Sequence, residues 1–177
     1  MNGFVTEKQT QKRIFFALWP SKQQRQEVET AINPYRSKLA GSWTDDDNWH
    51  VTLFFVGGFP ENDIPLLLTA AHKIECPSID LKFERIHFWK RPKIICLFAS
   101  YVPSELLGLV RSVESTAQMF GVEAEDRPYR AHMTIARRAK SFEPVTLAQP
   151  LELHWSRFHL IESVSTSSGV KYRPLDQ

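Results

Sequence analysis

The chain alternates between apolar runs and segments with helical spacing, and the apolar runs predict its strands. Residues 14–19 (IFFALW) and 94–99 (IICLFA) are apolar throughout, which is typical of strands buried on both faces. Residues 79–89 (IDLKFERIHFW) alternate between apolar and polar side chains, which predicts a strand with one exposed face. The pattern therefore places strands in both halves of the chain.

Three segments between these strands carry apolar residues at helical spacing. A first helix is predicted to begin after Ser21, a good N-cap residue, and to end near Asn33 because Pro34 cannot continue it. A second helix is predicted from Asn62 and a third after Ser104. This mixture of strands and helices indicates an α+β protein.

A motif of the form His-x-Thr-apolar occurs twice, as His50-Val51-Thr52-Leu53 and as His132-Met133-Thr134-Ile135. Each copy opens a predicted strand, in which successive side chains point to opposite faces, so the His and the Thr of one copy share a face. Val51 and Met133 point the other way, toward a core. One face of each strand thus offers an imidazole beside a hydroxyl, and we expect the chemistry there.

The two motifs belong to an internal repeat. Pro20 and Pro103 are 83 residues apart, and His50 and His132 are 82 residues apart. A strand, a helix and a motif strand follow one another in the same order on both occasions. Two copies of one unit predict a pseudo-twofold pair of lobes.

The repeat also predicts the architecture. Residues 79–89 match residues 151–161 (LELHWSRFHLI) at an offset of 72. We expect a bilobal α+β fold in which two antiparallel sheets line a central cleft and the helices pack outside. The chain, 1–177, is interpreted as a single domain of two intertwined repeat lobes, the first at about 14–89 and the second at about 94–174.

Composition and charge narrow the class of protein. Of the 177 residues, 42% are hydrophobic, which is enough for a packed core. The formal net charge of +2 is too small for general coating of nucleic acid. No apolar run approaches the ~18 residues of a membrane span, and the N-terminal MNGFVTEKQTQKR is polar without an export signal. We therefore expect a cytoplasmic monomer with no membrane partner. Cys76 and Cys96 lack metal-ligand spacing and are interpreted as reduced core thiols.

Positive side chains cluster on both sides of the second motif. Arg127 and Arg130 precede it, and Arg137, Arg138 and Lys140 follow it. A basic rim around a His/Thr face favours a phosphate ligand, because exposed cations attract anions through their summed field. The alternative is that these residues are solvated surface charges, which is the usual role of a single charge run.

Two imidazoles that face one phosphate fit an in-line displacement at phosphorus. One takes a proton from the attacking oxygen and the other protonates the leaving oxygen, since a pKa near 6.5 serves either role near neutrality. Two threonine hydroxyls and a nearby Arg would hold the non-bridging oxygens. Neither motif has the ligand spacing of a metal site, so no metal or cofactor is expected. The sequence motifs of P-loop NTPases, Rossmann enzymes, α/β-hydrolases and zincins do not occur.

The remaining candidate residues are assigned to structure. His87 and His159 occupy matching positions of the repeat without a Thr partner, and they are interpreted as packing or lobe-interface residues. Three consecutive acids, Asp45 to Asp47, are interpreted as a solvated turn rather than a cation site.

Four stretches of the chain resemble the two-histidine phosphoesterase superfamily, in particular its bacterial and archaeal RNA 2′,3′-cyclic phosphodiesterase branch, also called 2′-5′ RNA ligase. They are RIFFALWP, DNWHVTLFFVGG, RPYRAHMTIARR and LIESVSTSSGVKYRPL, so the likeness runs nearly end to end. The resemblance implies a bilobal α+β fold and no metal. It also implies opening of a terminal 2′,3′-cyclic phosphate on RNA to a 2′-phosphate, with reversible 2′-5′ joining in some members.

The resemblance further implies which residues form the site. His50 and His132 would be catalytic, with His132 as general base on water and His50 as general acid to the leaving 3′ oxygen. Thr52 and Thr134 would bind the phosphate.

The identity of the phosphate-binding Arg is where alternation and resemblance disagree. The family's second motif has an Arg five places after its His, which is Arg137 here, whereas strict alternation puts Arg138 on the face of His132. Arg137 reaches that face only if a bulge or the end of the strand re-aims it. Arg130, two residues before His132, is a second candidate.

Two other functions remain open besides hydrolysis of RNA ends. The same four His and Thr residues would suit a phosphodiesterase for small cyclic phosphates, such as those of ADP-ribose or of mononucleotides. They would also suit a binding module in which the histidines only hydrogen-bond a phosphate. The expected partners are accordingly RNA ends or small nucleotide cyclic phosphates.

Overall fold

The structure is a computed structural model that describes residues 10–39, 41–167 and 169–176. Within these residues nine strands form one antiparallel sheet of order β7-β4-β5-β6-β3-β1-β8-β9, with β2 paired to β6. The strands are β1 (Gln11–Leu18), β2 (Ser42–Trp43), β3 (Val51–Pro60), β4 (Ile79–Trp89), β5 (Ile94–Phe98), β6 (His132–Arg137), β7 (Val145–Trp155), β8 (His159–Thr166) and β9 (Gly169–Pro174). Residues 1–9, on which the expectation of no export signal rests, lie outside the described residues.

Among the described residues, three α-helices cover one face of this sheet: α1 (Lys22–Ile32), α2 (Ile64–Ala71) and α3 (Ser104–Gln118). Each contributes residues to the main core, for example Val28 from α1 and Val113 from α3. In the described part of the chain, no helix is long and apolar enough to cross a membrane.

The helix ends follow local chemistry. α1 begins with a capping box, in which the Ser21 hydroxyl accepts from the Gln24 backbone N–H and the Gln24 side chain accepts from the Ser21 N–H. It ends at Ile32 as predicted, and Pro34 lies in the 3-10 helix that follows. α2 begins two residues later than predicted from Asn62, because residues 61–63 form a 3-10 turn.

The sheet consists of two halves that join at one point. One half has the order β7-β4-β5-β6 and the other β3-β1-β8-β9, and Val51 of β3 pairs with Met133 of β6 where they meet. The two predicted antiparallel sheets are therefore continuous here. The halves also exchange strands, since β4 lies with β5 and β6 while β8 and β9 lie with β1 and β3.

The predicted match of residues 79–89 with residues 151–161 is wrong as a match between two strands. Residues 79–89 form the single strand β4, whereas 151–161 include the end of β7, a bend at 156–158 and the start of β8. Leu81 and Leu153 are paired neighbours on β4 and β7. Their likeness reflects burial in one core, because both are almost fully buried.

The core and the histidines lie on opposite faces of the sheet. Val51 and Met133 are fully buried and belong to the same apolar cluster as the helix residues. The opposite face carries a smaller apolar cluster of Phe15, Ala17 and Ile161, with Trp19 and Tyr172 packed against it. Because side chains alternate along a strand, His50 and Thr52 lie on this second face.

Candidate active site

The two His-x-Thr motifs lie side by side at the junction of the sheet halves. Val51 of β3 pairs with Met133 of β6 in an antiparallel register. This register places each histidine beside the threonine of the other motif, namely His50 beside Thr134 and His132 beside Thr52. Directly opposite side chains have Cβ atoms about 4.5–5.5 Å apart. Two imidazoles and two hydroxyls therefore form one compact group on the face away from the core.

Each motif strand carries a β-bulge just after its threonine. The registers with β1 and β5 skip Leu53 in β3 and Ile135 in β6. Both bulge residues are buried, and so are the residues that follow them, so the alternation of faces shifts by one place. The shift returns the fifth residue after each histidine, Phe55 and Arg137, to the histidine face.

The bulge bears directly on the choice between the arginines. Arg137 is exposed, and its positive charge acts on both His50 and His132. Arg138 lies past the end of β6 with a left-handed backbone (φ 56°). Arg130 is exposed, and its carbonyl oxygen accepts a hydrogen bond from the His132 ring. The structure thus brings the charge of Arg137 to the two imidazoles.

Both imidazoles are oriented by the same hydrogen bond. His50 Nδ1 donates to the carbonyl oxygen of Asn48 at 2.7 Å, and His132 Nδ1 donates to that of Arg130 at 2.8 Å. Because a carbonyl oxygen only accepts, Nδ1 carries a hydrogen in each ring. Nε2 is then a lone-pair acceptor in the neutral ring and a donor in the charged ring. Each histidine can therefore act as a base or as an acid through Nε2.

His50 is enclosed by aromatic rings. The ring centroids of Phe15, Trp19 and Tyr172 lie 4.9, 5.9 and 5.1 Å from that of His50, and Trp19 is stacked on it. Only 8% of His50 is exposed. The imidazole is therefore held rigidly, with little contact with solvent.

This environment strongly favours neutral His50. The pKa of His50 is lowered to about 4, mainly by burial and also by the charges of Arg137 and His132, although the hydrogen bond to Asn48 opposes this change. An anion bound at the site would act in the opposite direction and raise the pKa.

His132 lies in a similar but more open environment. The Trp89 ring lies at 4.4 Å from the His132 ring, centroid to centroid. Burial lowers the pKa of His132, the hydrogen bond to the Arg130 carbonyl raises it, and the charge of Arg137 lowers it. His132 is half-buried, whereas His50 is buried.

A tyrosine attaches the loop before β6 to the first motif. Tyr129 Oη donates to the carbonyl oxygen of Thr52 at 2.9 Å. This bond links the chain that leads to His132 with the strand that follows His50. It therefore stabilises the relative position of the two motifs.

Three other histidines have partners outside this group. His159 Nδ1 lies 3.0 Å from a carboxylate oxygen of Asp176, and exposed His154 lies 2.9 Å from one of Asp80. His87 is half-buried on β4 and contacts the ring of Phe98.

The acidic turn is engaged with other protein groups. Asp45 accepts a hydrogen bond from the Asp47 backbone N–H, and Asp47 forms an ion pair with Arg25 at 3.0 Å. The three carboxylates are close together but exposed. Their contacts fit the predicted solvated turn.

Sequence reasoning missed the aromatic residues of the site. Phe15 and Ala17 lie on β1 and Trp19 directly follows it, and alternation indicates that the three share a face. Phe55 is the repeat equivalent of Arg137, so superposing the motifs would have found it. Tyr172 offered no signal of this kind, because it approaches His50 from the distant strand β9.

The chemical capacity of this group follows from its geometry. Two imidazoles, each able to accept or donate a proton through Nε2, lie on one face with two hydroxyls and the charge of Arg137. This set suits proton transfer at both ends of a displacement, with the negative charge held between them. Two imidazoles fall short of the three protein ligands of a catalytic zinc site.

The chain is similar to known proteins in sequence and in fold. The model of the family described as LigT-like phosphoesterase matches residues 18–96. The RNA 2′,3′-cyclic phosphodiesterase of Escherichia coli (strain K12) is 27% identical, over 93% of this chain and 94% of that protein. The protein of the same name from Bacillus subtilis (strain 168) is 31% identical, over 54% of this chain and 55% of its own. The crystal structure of Escherichia coli LigT in apo form matches with a TM-score of 0.84 at 24% identity, over 94% of this chain and 95% of that one. This match confirms the predicted α+β fold.

Proposed function

We propose, from the premise that this chain belongs to the LigT-like, two-histidine phosphoesterase family, that it is an RNA 2′,3′-cyclic phosphodiesterase. In this proposal the enzyme hydrolyses a terminal 2′,3′-cyclic phosphate on RNA to a 2′-phosphate. The relatives from Escherichia coli and Bacillus subtilis carry this name. Both repeats act as one domain, because each contributes one histidine and one threonine to the site.

The observation that carries the proposal is the matched orientation of the two imidazoles. Each Nδ1 is hydrogen-bonded to the carbonyl oxygen two residues earlier, which leaves Nε2 as the ring nitrogen for proton transfer to a ligand. A single histidine with this bond would have an ordinary structural explanation. Two histidines with this bond lie on adjacent strands, and the positive charge of Arg137 acts on both. This arrangement supports an acid and a base that act on one phosphate.

The proposed reaction is a single in-line displacement. His132 Nε2 takes a proton from water as the water oxygen bonds to phosphorus, and the bond from phosphorus to O3′ breaks. His50 Nε2 gives its proton to O3′, so the product has a free 3′-hydroxyl and a 2′-phosphate. Thr52, Thr134 and Arg137 hold the non-bridging oxygens and offset the charge that develops on them.

The role of His50 as acid requires a bound anion. Its pKa of about 4 in the free protein leaves it neutral at pH 7. The cyclic phosphodiester is negatively charged, and a negative charge beside an imidazole favours the protonated form. Binding of the substrate anion therefore favours uptake of one proton from solvent, and the two imidazoles share that proton.

The proposed catalysis needs no metal ion. The negative charge of the phosphate is met by Arg137 and by one protonated imidazole, and the nucleophile is activated by the other. Reversible 2′-5′ joining would use the same residues, with a 5′-hydroxyl of RNA in place of water.

A smaller substrate is the second candidate. The Escherichia coli LigT has been crystallised with 3′-AMP, a mononucleotide. Aromatic rings around His50 would suit a single nucleoside as well as the end of an RNA.

A substrate panel in the presence of EDTA tests the proposal. It comprises an RNA oligomer ending in 2′,3′-cyclic phosphate, the matching mononucleotide 2′,3′-cyclic phosphate and ADP-ribose cyclic phosphate. The proposal predicts the largest kcat/KM for the oligomer, with a 2′-phosphate as product. Preference for a small substrate would favour the second candidate, and binding of all three without turnover would favour a binding module.

A further inference from the structure

One side of the histidine face continues into an open surface on β4 and β5. The registers of β4 with β5 and of β5 with β6 place Arg85, Phe98 and His132 in one row across the strands. His87 and Trp89 follow Arg85 at alternate positions of β4, so they share its face. We call Arg85, His87, Trp89 and Phe98 the β4–β5 patch.

The rings of the patch touch one another and His132. Trp89 lies 4.4 Å from His132 and 6.5 Å from Phe98, and Phe98 lies 5.3 Å from His87, between ring centroids. All three patch rings are half-buried, so each keeps part of its surface open to solvent. The patch is thus a continuous aromatic surface that begins at a site imidazole.

Positive charges lie at both ends of this surface. Arg85 is exposed at one end of the patch. The turn that joins β4 to β5 carries Lys90, Arg91 and Lys93 at the other end, all exposed. Aromatic faces between positive charges are the combination by which proteins bind single-stranded nucleic acid, since bases stack on rings and phosphates meet cations.

The site is more enclosed around His50, which is buried, than around His132, which is half-buried. Trp19 stacks on His50. On the neighbouring strand β8, Ile161 is fully buried and His159 contacts the carboxylate of Asp176. The pseudo-symmetry of the sheet is therefore broken. The β4–β5 patch therefore offers an open surface on the His132 side to the part of an RNA chain that precedes the terminal nucleotide.

We propose that the β4–β5 patch binds the nucleotides that precede the terminal one in a single-stranded RNA substrate. This inference rests on the proposed function and extends it, because it makes RNA rather than a small cyclic phosphate the preferred substrate. Bases of the preceding nucleotides stack on Phe98 and Trp89, and Arg85 contacts a backbone phosphate.

Substrate length and salt dependence test the patch. The wild type should turn over a five-nucleotide RNA ending in 2′,3′-cyclic phosphate with a higher kcat/KM than the matching mononucleotide. Arg85→Ser and Phe98→Leu should each lower this preference about five- to tenfold. Leu keeps apolar bulk at position 98, which protects the fold while removing the stacking ring.

Direct binding separates the two contributions. Fluorescence anisotropy of a labelled five-nucleotide RNA ending in 2′-phosphate gives Kd over a range of salt concentrations. Loss of one phosphate contact in Arg85→Ser should reduce the slope of log K against log salt by about 0.7, whereas Phe98→Leu should weaken binding without changing the slope. Arg111→Ser removes an exposed charge on α3, on the helix side of the sheet, and should keep the wild-type affinity and slope.

Three results would overturn the proposal. They are equal kcat/KM for the two substrate lengths in the wild type, an unchanged salt slope in Arg85→Ser, and an effect of both variants only on binding of an added 5′-hydroxyl RNA. The last would assign the patch to a second RNA strand. If neither substrate is turned over but anisotropy shows the expected length, salt and variant dependence, the proposed activity fails while the patch stands.

Discussion

Replacement of His50 by Gln should remove a large part of the acid sensitivity of folding. Burial lowers the pKa of His50 in the folded protein to about 4, whereas an unfolded chain has a histidine pKa near 6.5. The unfolded state therefore binds a proton that the folded state does not bind between these values. Stability from neutral His50 is complete above pH 6.5 and is lost as the pH falls toward 4.

The size of the effect follows from the two pKa values. The full difference corresponds to about 3 kcal/mol, and the part expressed between pH 8 and pH 5 is roughly 2 kcal/mol. For a chain of this length, 2 kcal/mol shifts Tm by about 4–8 °C. Gln cannot titrate, so the variant should lack this component at every pH.

Urea denaturation at pH 8 and pH 5 measures the effect for both proteins. Carboxylates titrate in both, so their contribution cancels when the change in the wild type is compared with the change in His50→Gln. We expect the wild type to lose about 2 kcal/mol more than the variant. His132→Gln should give a difference of the same sign, because burial also lowers the pKa of His132. Parallel losses in the wild type and His50→Gln would refute the account of the buried imidazole.

Three predictions concern activity. Arg137→Ala should raise KM and lower kcat/KM about tenfold more than Arg138→Ala, because the bulge at Ile135 turns Arg137 toward the site. The reverse ranking in single-variant kinetics would show that the bulge does not place Arg137 on the histidine face. A substrate with a much better leaving group should restore His50→Ala far more than His132→Ala, since it no longer needs the acid, and restoration of His132→Ala instead would exchange the two roles. In a pH profile, the alkaline decline of kcat/KM should have an apparent pKa below 6.5. The reason is that both imidazoles in the free protein have lowered pKa values and the pair must keep one proton. A decline that begins only above pH 7.5 would contradict these shifts.

Periodicity could predict the strands, since burial imposes regular patterns on the sequence. β4 was predicted with the observed bounds, 79–89, and β5 differs from its prediction by one residue at its end. The His-x-Thr repeat likewise predicted that both motifs would open strands with a buried opposite face. These features depend on residues close in sequence, so sequence alone could reach them.

The bulges could not be predicted from local pattern. Leu53 and Ile135 look like ordinary inward residues of a strand, and only pairing with β1 and β5 reveals the extra residue. Alternation along the sequence therefore cannot decide between Arg137 and Arg138. The path of residues 151–161 was missed on similar grounds, because two neighbouring strands that bury leucines in one core look like copies of each other.

The central claim is that His50 and His132 act as acid and base on one RNA cyclic phosphate. Its most direct test is single-turnover hydrolysis, with EDTA present, of an RNA oligomer ending in 2′,3′-cyclic phosphate by the wild type, His50→Ala and His132→Ala. The account predicts a 2′-phosphate product from the wild type and a rate about 10²–10⁴ lower in each variant, because each histidine supplies one proton transfer. Wild-type rates in both variants, or a 3′-phosphate product, would contradict it.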